Sequence, residues 1–285
     1  PADWATANAG GSGFFRARYS ADMLKSLSST MFENLSPIER YGLVDDTWSS
    51  VMAGRTSATD FLDFARSFQS ETDLDVWTVL SGCLAGLDKL VEGEAKLQYK
   101  AAIRDLAQPA LDRLGWEPSD SDSSRDLELR GLFIRLLANV GDDDLAIKNA
   151  GDLHDSYLVD AGSVEPNVAA AATGVVASKG DSAQYEVFLD KYHNPTTPQE
   201  ERRYQSALSA FSGEAEMDRT LAMSLDGTVR TQDAPYLLAV CMRNKEQGYR
   251  AWEFVKSNWE KINKDFPSNS IVRMLSGVPS LSKPE

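Results

Sequence analysis

The chain is 285 residues long, 42% hydrophobic and 25% charged, with 43 acidic against 29 basic residues and a formal net charge of −14. A chain near this length can bury roughly three quarters of the surface its unfolded form exposes, so a full core is within reach, whereas the acidic balance repels phosphate backbones and argues against nucleic acid as a partner. No apolar run approaches the ~20 residues that span a bilayer, so no membrane partner is expected, and the two cysteines, Cys83 and Cys241, sit in apolar helical patterns that suit reduced core thiols.

The chain begins Pro1-Ala2-Asp3 without methionine, as an excised fragment would. Residues 8–20, "NAGGSGFFRARYS", set glycines before Phe14, Phe15, Arg16, Ala17, Arg18 and Tyr19, and the aromatic bias predicts one short strand. From Ala21 onward nearly everything has helical period. In "SPIERYGLVDDTWSSVMAG" (36–54), Ser36 caps, Pro37 takes the first helical position and Glu39 completes a capping box. Ile38, Tyr41, Trp48 and Val51 are expected on the buried face, and Gly54 ends the helix. Helices are predicted near 58–69, 73–91, 94–114, 124–140, 143–160 and 165–178, with "EPSDSDSSRD" (117–126) as an exposed loop.

The alanine-rich stretch "NVAAAATGVVASKG" (167–180) suits a helix approached closely on more than one side. Asp181 and Gln184 open the next helix, which presents Tyr185 and Phe188; Thr197, Pro198 and Glu200 repeat the start grammar of residues 36–39, with Gly213 as the stop. Residues 228–262 predict two helices joined by the turn Asn244–Gly248, the second carrying a core stripe of Trp252, Val255, Trp259 and Ile262. Short connections make neighbours antiparallel. No strict period appears, so the expected fold is all-α: an irregular α-solenoid of antiparallel helix hairpins with one residual N-terminal strand.

Reactive chemistry is sparse. The two histidines, His154 and His193, start no H-E-x-x-H pattern and join no Cys/His cluster, and both read as surface or capping residues. There is no G-x-S-x-G elbow and no phosphate-cradling glycine loop. Asp45-Asp46, Asp142–Asp144 and Glu200-Glu201 read as solvated faces and helix N-terminal charges rather than an acid–base pair. No catalytic or metal-ligating residue is assigned.

Four ordered stretches together resemble the zinc aminopeptidases of the aminopeptidase N and puromycin-sensitive type. "NAGGSGFFRARYS" is similar to the Asn…Gly-Phe-Tyr-Arg-x-x-Tyr segment leading out of their β-sandwich domain. Residues 40–77 carry the arginine, the Leu-x-Asp-Asp core, the Ala-Gly turn and the Glu-x-Asp-x-x-x-Trp ending that open their helical C-terminal domain. "LDRLGW" (111–116) resembles the mid-domain Leu-Gly-Trp, and residues 229–262 resemble the Arg-x-Gln-Asp…Arg-Asn…Gly…Ala-Trp-x-Phe…Asn-Trp pattern. Thr47-Trp48 departs from the usual Ala-Phe, and Ala17-Arg18-Tyr19-Ser20 from Val-Asn-Tyr-Asp.

The resemblance implies that residues 1–20 end a preceding β-sandwich domain and that 21–285 form a bowl-like, HEAT- or armadillo-like C-terminal domain. That domain would enclose the active-site cavity of a zinc metalloaminopeptidase that removes N-terminal residues from peptides, and would help to size-select them. Zinc is expected in the full-length protein and none in this fragment. Partners would be the upstream catalytic and β-sandwich domains and peptide substrates; free thiols, an acidic surface and the lack of a membrane-spanning run fit the cytoplasm. Relatives hold the distal carboxylate of a peptide with basic residues, and alignment brings Lys89 and Arg243 to such positions; the alternative for each is a solvated or helix-terminal cation. The alternative for the whole is a freestanding α-solenoid scaffold without enzymatic activity.

Overall fold

The computed structural model describes residues 4–281, and among them the regular structure is helical throughout. Fifteen α-helices follow in order: α1 (Ala21–Asn34), α2 (Pro37–Met52), α3 (Ala58–Arg66), α4 (Leu74–Asp88), α5 (Glu94–Leu114), α6 (Ser124–Arg135), α7 (Asp144–Val159), α8 (Pro166–Lys179), α9 (Ser182–His193), α10 (Pro198–Leu208), α11 (Glu214–Ala222), α12 (Ala234–Arg243), α13 (Gly248–Ser257), α14 (Trp259–Asp265) and α15 (Ser268–Met274). The chain falls into two compact units. The first runs to Ala146 and includes Glu165–Val168; the second holds Ile147–Val164 and everything from Ala169.

The strand expected over residues 14–19 is absent among the described residues. A strand needs a neighbour to take its amides and carbonyls, and no described segment offers one. Side chains pin this segment instead. Asn8 closes a turn on Gly13, accepting its amide at 2.7 Å and donating to its carbonyl at 3.1 Å. The Tyr19 hydroxyl takes the Ala7 amide at 3.1 Å, and Arg16 pairs with Asp45 and stands 3.6 Å from Asp46. Phe14 is left wholly exposed and Phe15 half-exposed.

The start of α2 follows its sequence grammar: the Glu39 carboxylate accepts the Ser36 amide at 2.8 Å and its hydroxyl at 2.7 Å. At the other end Gly54 adopts φ 67°, where a side chain would be strained. The buried face differs from the expected one. Leu43, Val44 and Thr47 face inward with Arg40, while Ile38 is 54% exposed and Tyr41, Trp48 and Val51 are half-buried. An arginine at the head of the inward face, followed by Asp46, Thr47 and Ser50, hides that face from any apolar pattern.

In the first unit, α2 packs on α3 and α4, and α4 and α5 pack on α6. Trp77 and Phe133 meet edge-to-face in this core at 4.7 Å. The helix predicted over 124–140 ends in one wider turn of π type, Leu136–Val140. In the second unit α9 pairs with α10, and α12 packs against α13, α15 and the 3₁₀ segment Leu275–Ser280. Tyr185 and Phe188 are fully buried, edge-to-face with Phe211 at 5.2 and 5.4 Å. The alanine-rich helix α8 is buried nearly all round, at Ala169, Ala171, Ala172, Val175 and Ala177.

The aromatic stripe of the last long helix is divided. Asn258 (φ −109°, ψ 15°) breaks the helix between α13 and α14. Val255 and Ile262 stay in the core, Trp252 is half-buried, and Trp259 is 41% exposed. Trp259 is therefore not a core residue, because the break turns it off the common face.

Candidate functional site

The stretch from Arg40 to Trp77 closes into one buried cluster. Glu71, fully buried at the end of the α3–α4 connection, receives Arg40 Nε at 2.6 Å and Nη2 at 2.9 Å. Its Oε1 also takes the amides of Thr72 and Asp73, each at 2.9 Å. Arg40 sends its remaining Nη1 to the Leu35 carbonyl at 2.8 Å. Two residues on, Asp73 caps α4 by accepting the Asp75 and Val76 amides at 2.9 and 3.2 Å. Trp77 then donates its indole N–H to the Glu71 carbonyl at 2.9 Å. Every member satisfies another, so the glutamate has no lone pair directed at a substrate; its chemistry is that of a buried, fully bonded ion pair.

The Asp45-Asp46 pair sits beside this cluster on α2. Burial pushes the Asp46 carboxyl above its ordinary range, opposed by the Ala17 amide and the Arg16 guanidinium. The two carboxylates thus anchor the N-terminal segment.

A second stitched turn follows α12. Asn244 donates to the carbonyls of Ser209 and Phe211, both at 2.9 Å, and accepts the amides of Glu246 and Gln247 at 3.0 Å. Gln247 adds a bond to the Ser212 carbonyl at 2.7 Å. A Cβ on Gly248 would stand 2.6 Å from the Met242 carbonyl, so only glycine fits there. These contacts fix the end of α12, whose last residue is Arg243.

Arg243 is exposed and donates Nη2 to the Ser276 hydroxyl at 3.1 Å. That hydroxyl is near because Gly277 lets the 3₁₀ segment approach α12, a Cβ there falling 2.6 Å from the Ala239 carbonyl. Lys89 caps the C-terminus of α4 and is half-buried, its amide reaching the Gly86 carbonyl at 3.3 Å. The two candidate residues belong to different units, Lys89 to the first and Arg243 to the second. Beside Lys89 lies a cluster that sequence reasoning passed over. Asp88 is 5% exposed and holds Lys96 at 2.5 Å, and Tyr99 donates its hydroxyl to the Leu84 carbonyl at 2.6 Å. Burial, with Asp88 and Cys83 nearby, raises the Tyr99 phenol.

His154 is not a surface or capping residue. It is 1% exposed, stacked on Phe188 at 5.1 Å, with Nε2 3.4 Å from the Tyr204 hydroxyl. Burial pulls its pKa down to about 4, so the ring stays neutral. The flanking Asp152 and Asp155, on turns of α7 that face away, made it read as exposed. His193, at the end of α9, is exposed.

The chain matches the family model of the ERAP1-like C-terminal domain over residues 4–285. It belongs to that family. Among curated proteins it is 30% identical to "Aminopeptidase M1" of Arabidopsis thaliana over 97% of this chain and 32% of the relative. It is 27% identical to "Endoplasmic reticulum aminopeptidase 2" of Bos taurus, over 98% of this chain and 30% of that protein. "Alanine/arginine aminopeptidase" of Saccharomyces cerevisiae (strain ATCC 204508 / S288c) is 28% identical over 95% of this chain and 32% of its own length. The chain thus spans about a third of the length of the curated relatives it matches.

Among the described residues no group of three or more His, Cys, Asp or Glu could hold a metal ion. The ring of His154 is enclosed by aromatics, and burial pushes both cysteine thiols up to about 12, far from a metal-binding thiolate. The described residues do not fit a zinc site.

Proposed function

We propose that this domain is the non-catalytic C-terminal part of a metal-dependent aminopeptidase that removes N-terminal residues from peptides, acting in the cytoplasm. The observation that carries the reading is the family match over residues 4–285, together with relatives that are named aminopeptidases and are about three times as long. In this reading the zinc belongs to upstream residues, residues 1–20 end a preceding β-sandwich domain, and the helical domain encloses the cavity and limits peptide size. The exposed Phe14 and Phe15 support the second point, since such side chains suit burial against another domain. That no helix among the described residues is long and apolar enough to cross a membrane is compatible with it.

Arg243 takes the substrate's distal carboxylate in this proposal, and Lys89, in the other unit, is a separate candidate for the same role. For Arg243, an exposed guanidinium on a helix end held rigid by Asn244 is a fit partner for a carboxylate. In the full-length protein, Arg243→Ala should weaken peptide substrates by roughly 1.5–3 kcal/mol, while single-residue amides, too short to reach it, are cleaved as before. Equal losses on both substrate types would reduce Arg243 to a structural residue. The gene upstream of residue 1 is expected to encode H-E-x-x-H followed by a distal glutamate; a start codon at or near Pro1 would favour the scaffold reading.

A further inference from the structure

A groove of about 630 Å³ runs along the first unit between the N-terminal half of α1, the turn after α2, and α3. This is within the ~300–1,000 Å³ typical of ligand sites. Leu24 and Phe64 give it an apolar floor, while Arg18, Lys25 and Arg55 stand on its walls. All three cations are exposed, and none has a side-chain hydrogen bond or ion pair among the described residues.

That is unusual in a chain carrying −14. In the same unit Arg16, Arg66, Lys96, Lys100 and Arg125 each bind a carboxylate. Two aspartates also line the groove. Asp63 is occupied by Arg66 at 2.6 Å, leaving Asp60 alone against three cations. The first turn of α1, a 14-residue helix, forms part of the wall, its positive end offset by the exposed Asp22. Apolar floor and unpaired guanidinium and ammonium groups converge on one cleft.

We propose that this groove binds an acidic peptide segment, its carboxylates on Arg18, Lys25 and Arg55 and an apolar side chain on Leu24 and Phe64. Charge complementarity selects the occupant: a neutral peptide would fill the floor and leave three cations unanswered, and a basic one would be repelled. The assignment goes beyond peptide cleavage and does not depend on it.

The test uses the full-length protein and a fluorescein-labelled, N-acetylated hexapeptide of alternating Glu and Leu, followed by anisotropy. The acetyl group removes the free amine, so an aminopeptidase cannot turn the probe over. The Glu peptide is expected to bind about tenfold or more tighter than the same peptide with Gln for Glu, and to weaken as salt is added. The double change Lys25→Glu/Arg55→Glu should lose that tenfold, whereas Lys25→Arg/Arg55→Lys, which keeps the charge and reports on folding, should retain it. Cleavage of a single-residue amide should be unaltered in both variants. Equal affinity for the Glu and Gln peptides, binding that survives charge reversal, or no binding to the wild-type protein would each overturn the proposal. The absence of amide cleavage by the wild type would instead refute the aminopeptidase reading and leave the binding result intact.

Discussion

Removing the Glu71 side chain should be among the most damaging single changes in the first unit. Glu71→Ala takes two bonds from Arg40 and the acceptor of the Thr72 and Asp73 amides, and it leaves a guanidinium that is 9% exposed without its counter-charge. Breaking a buried ion pair from one side costs about 3–5 kcal/mol, a large share of the ~5–15 kcal/mol that holds a domain folded. For a unit of this size the midpoint of thermal unfolding should fall by roughly 6–20 °C. Glu71→Gln keeps the shape and one acceptor, so its loss should be smaller. The double change Arg40→Met/Glu71→Leu should recover much of the damage, because hydrophobic replacement of both partners avoids the stranded charge. Calorimetry, with tryptophan fluorescence in a Trp252→Phe/Trp259→Phe background to follow this unit separately from the other, measures each value. A loss below about 1 kcal/mol for Glu71→Ala, or a double variant no better than the single, would refute the assignment of Glu71 as the anchor of the α2–α4 junction.

The same logic applies elsewhere. Asn244→Ala should destabilise the second unit by about 2–3 kcal/mol, since two carbonyls lose their donor; Asn244→Asp should be no better, as a carboxylate cannot donate, and denaturant titration distinguishes these outcomes from an inert surface turn. His154 gives a pH dependence of known sign. Its folded pKa, about 4, lies below the ordinary histidine value, so the unfolded chain takes up the proton first and stability falls as pH drops from about 6.5 toward 4. His154→Phe should flatten that fall, by up to about 3 kcal/mol near pH 4, as read from melting midpoints across pH; an unchanged slope would mean that other groups set it. Exchanging Gly248 for alanine should destabilise the end of α12, given the 2.6 Å approach to the Met242 carbonyl, and a stability equal to wild type would contradict that geometry.

Much of the helical architecture was readable because caps are local chemistry, although the stop expected at Gly213 is not one: α10 already ends at Leu208, and Gly213 precedes α11 as its N-cap. Ser36, Pro37 and Glu39 act within four residues of one another, as do Thr197 and Glu200, where the hydroxyl takes the amide at 3.1 Å. What the pattern concealed was polar burial. Arg40 points into the core because Glu71, 31 positions away, receives it, and no periodicity reports a partner so distant. His154 was misjudged for the same reason: its neighbours in sequence are aspartates, but its neighbours in space are Phe188 and Tyr204. The expected strand failed because aromatic bias cannot supply a second strand. The residues that carry the resemblance were visible in the sequence, yet their role was not. Arg40, Glu71, Asp73, Trp77, Asn244 and Gly248 hold connections together, so the signature marks a fold rather than a catalytic centre.

In the proposed reading this domain serves an enzyme whose reacting groups lie outside it. The direct measurement is release of the N-terminal residue from an unblocked peptide by the product of the complete gene, before and after metal removal with a chelator. Turnover that disappears on chelation and returns with zinc is the predicted result. A protein that releases no amino acid from any of a panel of unblocked peptides, with or without zinc, would contradict the claim and leave a helical scaffold in its place.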